Sequence, residues 1–566
     1  MLGRIVCAIV LVASLAAQPS QAPAVPAASA QASPVQAQQG FRIAGVVVNS
    51  LTGQPIPAAS VAIARVTQGA ARDISKSVVS AADGRFSFAS LSRGKYSLMA
   101  MARGCSLQYF DHHDPYATAI VAGPDLDSEH LVFRLQPDAS IEGDITDENN
   151  DPIQYATVRL FHKATDAGQQ RTRPINQAQT DDLGHYHMGH LASGAYYLAV
   201  SARPWYAQNT RIPKGPEYSA PGSQSAQEEA GLDVTYPLTF YPDASDWADA
   251  TPIQLAPGEK ETANVVLRAV PSLHLRIHTG GTAQNAVLGR MVFPRVSQRI
   301  FEGYLDSVYN APNSWVAPGV IEISGLAPGH YVVEMPPSTG LNDKGAARGW
   351  YREIDLAGDA DISASEGPGF VTISGTVLFE NARVPRHASI QLLNQETGEG
   401  FRSDIGERGE FDFRSDEVRA GRYLVMMGNA RDFYLKKLAA TGAKFVGRTV
   451  EIGAAGTVHL AAIAARGEAQ VDGTATRDDA PFAGAMVVLV PQDPSNNVPL
   501  FRRDQSDSDG TFTLGNVVPG QYTVIAIANG WDLEWGNPAV LQPYLKRGEV
   551  VQVPPDGRLQ VKVQVQ

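Results

Sequence analysis

Cysteine is almost absent from this sequence, which contains only Cys7 and Cys105 among its 566 residues. Cys7 falls inside an apolar run near the start that we interpret as part of a cleaved signal peptide. The mature chain would then keep one cysteine and no intrachain disulfide. Because large, well-filled domains do not depend on disulfides, the sequence predicts folding units that are held together by packing.

Clusters of basic residues are also missing. The chain carries 46 lysines and arginines against 58 aspartates and glutamates, which gives a formal net charge of −12. Affinity for nucleic acid and for anionic membranes depends on concentrated positive charge. We therefore expect neither nucleic acid nor an anionic lipid surface as a partner.

The motifs of common enzyme classes are absent as well. The sequence has no His-x-x-Glu or His-Glu-x-x-His of zinc peptidases, no Gly-x-Ser-x-Gly nucleophile elbow and no glycine-rich phosphate loop. We accordingly expect a protein that is not an enzyme, has no catalytic residues and needs no cofactor.

The start of the chain predicts export. Residues 1–17 combine an early arginine, a short apolar run and a small-residue cleavage site, which is the pattern of a signal peptide. Residues 18–39 form a linker rich in Pro, Ala and Gln, with too little apolar content to fold. No later run is long enough for a transmembrane helix. We expect the protein in the periplasm, at the cell surface or outside the cell.

One motif returns along the rest of the chain. Its first copy reads Asp-Gly-Arg-Phe-Ser-Phe at residues 83–88 and continues as Leu-Ser-Arg-Gly-Lys-Tyr at residues 91–96. Gly84 and Gly184, in the first two copies, lie 100 residues apart. This interval is the size of a domain and exceeds the roughly 20–50 residues of a solenoid repeat. Further copies occur at residues 182–196, 408–423 and 509–522, with a partial copy at residues 326–331.

The motif is built from strand and turn signals. Phe86 and Phe88 alternate with polar residues, which predicts a half-buried strand, and the preceding Asp-Gly predicts a turn at a positive φ. An upstream signature, Ile-Ala-Gly-Val-Val at residues 43–47, adds a further strand. About seven short strands and a Leu-x-x-Gly-x-Tyr tyrosine corner in each unit are typical of an immunoglobulin-like sandwich.

Taken together, these motifs resemble the carboxypeptidase regulatory-like domain family. The pattern is Ile-x-Gly-x-Val, then Ala-x-Val-x-Leu, then Asp-x-x-Gly-x-Phe-x-Phe-x-x-Leu-x-x-Gly-x-Tyr-x-Leu, and the resemblance extends over nearly all of residues 40–566. It implies an all-β chain of about five tandem Greek-key sandwich domains of immunoglobulin or transthyretin type. The family's domain is an accessory module, so the resemblance implies no active site.

We predict five sandwich domains, named the first to the fifth sandwich. Their ranges are 40–137, 138–269 with a loop insertion at about 208–231, 270–364, 365–465 and 466–566. The third is a divergent copy that lacks the Asp-Gly turn. Because the joins are short, we expect a semi-rigid rod of domains strung one after another.

Three histidines are the best candidates for a metal site. His185, His187 and His190 lie in the second copy of the motif, where the first two should project together from the solvent face of a strand. Neutral imidazoles in that arrangement can share a zinc or copper ion. The alternative is that all three are exposed polar positions of the strand.

Tryptophans after the return strands are the best candidates for ligand binding. Trp205 and Trp531 occupy equivalent places in the second and fifth copies, with Trp535 and Tyr544 close to the latter. Loops at the end of a sandwich commonly bind ligands, and a flat aromatic ring can stack on a sugar. The alternative is that these rings plug the end of a sandwich or a domain interface.

The sequence therefore predicts an exported, non-catalytic protein with a structural, adhesive or protein-binding role at the cell envelope. A carbohydrate-binding protein is the second hypothesis, and an accessory component of a secreted peptidase system is the third. The expected partner is a polysaccharide or a protein of the envelope.

Overall fold

A computed structural model describes residues 40–66, 74–113, 115–166, 168–208, 232–279, 293–301, 304–308, 311–317, 319–336, 349–363, 366–413, 418–430, 432–454, 456–467 and 469–566. The predicted signal peptide (1–17) and linker (18–39) lie outside these residues, as does nearly all of the predicted insertion at 208–231. Within the described residues the chain is built from short strands, which confirms the all-β sandwich prediction.

The strands of the first sandwich are β1 Phe41–Asn49, β2 Ser60–Arg65, β3 Ile74–Val79, β4 Arg85–Leu91, β5 Gly94–Ala102, β6 Cys105–Tyr109, β7 His112–His113, β8 Tyr116–Ala117, β9 Ile120–Ala122 and β10 Leu131–Leu135. Those of the second are β11 Ala139–Thr146, β12 Thr157–Asp166, β13 Gln169–Gln179, β14 His185–Leu191, β15 Gly194–Ser201, β16 Val234–Thr235, β17 Thr239–Phe240, β18 Ile253–Leu255, β19 Lys260–Thr262 and β20 Val265–Val266.

The third sandwich contains β21 Val270–Pro271, β22 Leu273–His278, β23 Arg295–Phe301, β24 Tyr304–Ser307, β25 Asn313–Ala317, β26 Val320–Leu326, β27 Gly329–Met335, β28 Trp350–Leu356 and β29 Ala360–Ser363. The fourth contains β30 Thr372–Phe379, β31 Ser389–Asn394, β32 Gly400–Asp404, β33 Glu410–Asp412, β34 Gly421–Gly428, β35 Phe433–Thr441, β36 Lys444–Val446, β37 Thr449–Ile452 and β38 Thr457–Arg466.

The fifth sandwich contains β39 Ala469–Arg477, β40 Ala480–Pro481, β41 Met486–Pro491, β42 Arg502–Gln505, β43 Thr511–Val517, β44 Gly520–Ile527, β45 Glu549–Val553 and β46 Gly557–Gln564. The one α-helix of the described chain, α1, runs over Pro538–Leu545. No helix in the described ranges is long and apolar enough to cross a membrane.

One sheet has the same arrangement in all five sandwiches. The first long strand of each sandwich, which is β22 in the third, pairs in parallel with a strand near the end of that sandwich, as β1 does with β10 and β39 with β46. On its other side the first strand pairs antiparallel with the strand of the repeated motif, as β1 does with β4. The second sheet packs over this one and encloses a core of aliphatic and aromatic side chains.

The glycine of the first strand is required by this arrangement. A Cβ added at Gly473 would lie 2.5 Å from the carbonyl oxygen of Val561 in the parallel neighbour, and it would also clash with the ring of Phe512. In four sandwiches this glycine faces an aromatic residue directly across the antiparallel pair: Gly45 faces Phe86, Gly143 faces Tyr186, Gly375 faces Phe411 and Gly473 faces Phe512. At Gly375 and Gly473 the ring occupies the space that the missing side chain leaves.

The predicted tyrosine corner is confirmed in all five sandwiches. In each, the tyrosine hydroxyl donates a hydrogen bond to the backbone carbonyl four residues earlier, at 2.7–2.9 Å. The pairs are Tyr96 with Ser92, Tyr196 with Ala192, Tyr331 with Ala327, Tyr423 with Arg419 and Tyr522 with Val518. The bond fixes the turn that leads into the return strand.

The third sandwich retains the glycine turn before its motif strand, although the Asp-Gly pair that predicts this turn is absent from its sequence. Gly319 has a φ of +76° and its carbonyl accepts the backbone N–H of Thr279, the same bond that Gly84 makes to Val47. The turn was missed because the aspartate of the motif is absent, whereas the positive φ requires only the glycine.

The first and fifth sandwiches contact each other, so the prediction of domains strung as a rod is wrong. Lys95 pairs with Asp507, and the ring of His113 stacks on Trp531 at 4.8 Å with an interplanar angle of 9°. The side-chain amide of Gln505 donates a hydrogen bond to the backbone carbonyl of Asp111 at 2.6 Å. Short joins limited the distance between chain neighbours but carried no information about contacts between distant domains.

We expect Gly473→Ala to destabilise the fifth sandwich by about 2–3 kcal/mol or more, because the added methyl group overpacks the gap between two strands. Urea unfolding measures the change. Gly515→Ala is the matched control, since nothing lies within 4 Å of a Cβ at that position in the same sandwich, and it should change the free energy of unfolding by no more than about 0.5 kcal/mol. Equal effects of the two substitutions would contradict the packing argument.

The carboxyl group of Asp504, in β42 of the fifth sandwich, predicts a dependence of stability on pH. Burial raises the pKa of Asp504 from 3.8 to about 7, helped by the nearby charge of Asp507, while backbone hydrogen bonds from Thr513 and Gln505 and the charge of Lys95 act in the opposite direction. The folded state therefore holds this proton more tightly than the unfolded chain. The stabilising contribution of the Asp504 carboxyl is complete below about pH 4 and is lost as the pH rises to about 7.

Asp504→Asn should flatten this part of the stability profile. In the wild type, the Asp504 carboxyl should account for a fall of up to about 4 kcal/mol between those pH values. Chemical unfolding at a series of pH values measures the difference between the two proteins. Asp404→Asn, at an exposed position of β32, is the control and should leave the slope unchanged. A wild-type slope that persists in Asp504→Asn would rule out this carboxyl as its source.

Candidate functional site

A cleft of about 870 Å³ lies between the second and third sandwiches. The second contributes the turn after β11, the start of β12, and the end of β15 with the residues that follow it. The third contributes β23, β24 and the turn between β26 and β27. The cleft therefore exists only because two sandwiches meet, and its walls come from the loop ends that usually carry binding residues.

Trp205 stands at the rim of this cleft. It follows the return strand β15 after a three-residue segment that ends in Pro204, and 94% of its surface is exposed. The neighbouring Tyr206 supports the indole edge-to-face, with centroids 5.7 Å apart and an angle of 87°. Tyr155, which is 74% exposed, also lines the cleft. An exposed apolar surface rimmed by polar residues is a common feature of binding sites.

The floor of the cleft is an ion pair that joins the two sandwiches. The Arg159 guanidinium lies 2.8 Å from the Asp306 carboxylate, and both side chains are largely buried. Arg159 also donates to the hydroxyl of Ser201 at 3.2 Å. Burial raises the pKa of Asp306, and the charge of Arg159 acts in the opposite direction. This ion pair holds β12 of the second sandwich against β24 of the third at the base of the cleft.

Polar groups surround the aromatic rim. Asp147, Asp151 and Gln154 line one wall, and Arg203 lies beside Trp205. Burial, followed by the influence of Tyr206, raises the pKa of Tyr236 well above its usual range, so its hydroxyl stays a hydrogen-bond donor. Apolar ring faces beside carboxylates, amides and hydroxyls suit a ligand that has one flat apolar face and several hydroxyl groups.

The three candidate metal-binding histidines do not meet around one point. His185 pairs with Asp144 across strands β14 and β11 at 3.0 Å, and His190 pairs with Asp138 at 2.8 Å. His187 is exposed on the same strand. No group of three or more His, Cys, Asp or Glu side chains in the described ranges is arranged to hold a metal ion. Two of the histidines are thus already engaged by separate aspartates.

The other candidate aromatic residues belong to a separate cluster in the fifth sandwich. Trp531 is half-buried against His113 of the first sandwich, and its indole N–H donates to the Gly484 carbonyl at 3.2 Å. Trp535 is buried, with Phe501 on one side and the Arg503 guanidinium 4.3 Å from its ring centroid. Tyr544 packs at the edge of the same cluster. Trp531 therefore takes the interface position that the sequence had left as the alternative, while Trp535 and Tyr544 pack within the fifth sandwich. Of the four candidates, only Trp205 presents an open face.

Sequence reasoning missed the cleft itself. Arg159 and Asp306 stand in different copies of the repeat, and neither belongs to the shared motif. The one usable signal was the position of Trp205 after the return strand, which indicates a loop end but not the wall opposite it.

Comparison with known proteins gives one family match. The model of the carboxypeptidase regulatory-like domain matches residues 42–118 and 140–268. No curated protein matches the sequence.

Several solved structures resemble the chain at low identity. A streptococcal ancillary pilin is 10% identical over 52% of this chain and 98% of its own, with a TM-score of 0.19. The minor pilin of Streptococcus agalactiae is 13% identical over 41% of this chain and 97% of its own, with a TM-score of 0.21. The TIE protein of Bacillus anthracis is 14% identical over 73% of this chain and 68% of its own, with a TM-score of 0.14. TM-scores this low carry no argument about architecture or role.

The matched segments coincide with the first two copies of the repeat, in which the turn glycine, the paired aromatic residue and the tyrosine corner are all present. The first and second sandwiches therefore match the carboxypeptidase regulatory-like domain that the sequence motifs indicated.

Proposed function

We propose that this chain is an exported, non-catalytic protein with a structural or adhesive role at the cell envelope. The features that recur in its sandwiches are the glycine–aromatic pair, the tyrosine corner and the parallel pairing of the first strand. Each of these serves folding, and none supplies a nucleophile, a general base or a metal ligand. A chain in which only the features that serve folding recur is suited to presenting a binding surface.

The observation that carries this proposal is the way the sandwiches are fastened together. Arg419 of the fourth pairs with Glu334 of the third, with both side chains nearly buried, and the Arg159–Asp306 pair joins the second to the third. Rings from the second and third also interlock, with Phe161 and Phe301 at a centroid distance of 4.8 Å. Buried ion pairs and ring contacts of this kind resist rearrangement of the domains because breaking one leaves an uncompensated charge.

Fractionation of a bacterial host that expresses the tagged full chain tests the export step. We expect the protein in the envelope or the medium, shortened at its start by removal of about 17 residues. A variant without residues 1–17 is the control and should stay in the cytoplasm. Accumulation of the uncleaved full chain in the cytoplasm would overturn the proposed location.

A second candidate function is carbohydrate binding at the cleft between the second and third sandwiches. The observation that favours it is the nearly complete exposure of Trp205 beside carboxylate and amide groups. A pyranose ring has an apolar face that can lie on an indole and hydroxyl groups that such neighbours can bind. The ligand would then be a polysaccharide of the envelope or of a surface that the protein meets.

A glycan array probed with the purified full chain tests this second function. Trp205→Ala should weaken binding at least about tenfold, since it removes the stacking face. Trp531→Ala is the matched control: the same substitution at the equivalent position of the fifth sandwich, where the ring is covered by His113, should leave glycan binding unchanged. Absence of binding by the wild type, or equal binding by Trp205→Ala, would eliminate the cleft as a sugar site.

A further inference from the structure

A second, smaller cleft of about 420 Å³ lies between the fourth and fifth sandwiches. Strands β34 and β35 of the fourth form one side, and residues around the start of β42 and the end of β43 form the other. The guanidinium groups of Arg448 and Arg502, one from each sandwich, line it. Two positive groups therefore share one partly enclosed space.

Arg502 is held in place by backbone oxygens. Its Nε and Nη2 atoms donate to the Asn516 carbonyl at 2.9 and 2.6 Å, and its Nη1 atom donates to the carbonyls of Pro499 and Phe501 at 2.9 and 2.7 Å. These contacts satisfy most of its five N–H donors. They orient the group but do not compensate its charge, because a carbonyl oxygen carries only a partial negative charge.

Arg448 has far fewer partners. Its Nη2 atom donates to the Leu435 carbonyl, and no carboxylate among the described residues forms an ion pair with it. Its own backbone N–H donates to the Asn496 carbonyl of the fifth sandwich at 2.7 Å, which keeps the residue at the interface. Most of its guanidinium donors therefore have no protein acceptor in the described part of the chain, and the residue lines the cleft.

The guanidinium of Arg448 lies where a positive charge is disfavoured. Burial lowers the pKa of Arg448 to about 10, and the charge of Arg502 lowers it further, while Tyr522 acts in the opposite direction. At two other domain interfaces the arginine faces a carboxylate instead, as Arg159 faces Asp306 and Arg419 faces Glu334. A chain with 58 acidic residues against 46 basic ones has no shortage of carboxylates. Asp432 is the one carboxylate among the residues that line this cleft, and within the described chain it forms no ion pair with either arginine. The two guanidinium groups therefore lack the paired carboxylate that the other two interfaces provide.

We propose that the cleft between the fourth and fifth sandwiches binds a small oxyanion, either a phosphate-type ion or a carboxylate. Arg448 supplies the free donors in a planar fork that matches two oxygens of such a group. Arg502 adds a fixed second positive charge. Asn429 and Asn516 also line this space, and each carries a side-chain amide. The anion would join the fourth and fifth sandwiches in the way that Asp306 joins the second to the third and Glu334 joins the third to the fourth.

Thermal unfolding of the full chain in inorganic phosphate, in acetate and in chloride at equal ionic strength tests the proposal. Bound anion should raise the unfolding midpoint of the wild type by a few degrees at about ten times its dissociation constant. The phosphate and acetate arms distinguish the two kinds of oxyanion. Since phosphate stabilises proteins in general by exclusion from their surface, the decisive quantity is the difference between the wild type and Arg448→Gln.

Arg448→Gln should lose this anion-specific shift and weaken binding at least tenfold by calorimetric titration. Arg448→Lys keeps the charge without the fork and should bind with intermediate affinity, which separates loss of the site from loss of the fold. Arg402→Gln is the matched control, because Arg402 is an exposed arginine of the fourth sandwich that pairs with Asp404. Equal shifts in the wild type and Arg448→Gln, or no shift beyond that in chloride, would overturn the proposal.

Discussion

The close approach of two parallel strands over a glycine is the constraint on which each motif-bearing sandwich depends. Gly45, Gly143, Gly375 and Gly473 lie where a side chain would meet the backbone of the neighbouring strand. The absence of a side chain brings that strand close, and the aromatic ring across the antiparallel pair fills the space that remains. In the second sandwich the ring is Tyr186, whose hydroxyl donates to the Ala263 carbonyl of the approaching segment at 2.7 Å. One small residue and one large residue thus fix three strands at once.

The fold could be predicted from the sequence because its determinants are local. The alternation around Phe86, the turn at Gly84 and the corner at Tyr96 all lie within 13 residues of one another, and each has its own mechanism. The third sandwich shows where this reasoning weakens. Once the aspartate of the turn was lost, the equivalent Gly319 could not be recognised without the hydrogen bond that its carbonyl accepts.

The candidate sites could be predicted only in part, because they are made where distant segments meet. Trp205 was identified from its place after a return strand, but the opposite wall comes from the third sandwich. Trp531 occupies the equivalent place and was assigned the same role, yet the ring of His113 covers it. Lys95 and Asp507 lie 412 positions apart, and no periodicity within a repeat could connect them. Residues of the repeated motif determine the fold of each sandwich, while side chains outside the motif determine how the sandwiches are arranged.

The parallel pairing of first and last strands has a mechanical consequence. In the fifth sandwich β39 and β46 run side by side over eight residue pairs, and β30 and β38 do the same in the fourth. A pull on the two ends of such a sandwich acts along both strands in opposite directions. All the backbone hydrogen bonds between them then bear the force together, in shear, instead of opening one after another like a zipper. Under tension, each of these sandwiches would resist extension until the whole strand pair slides at once.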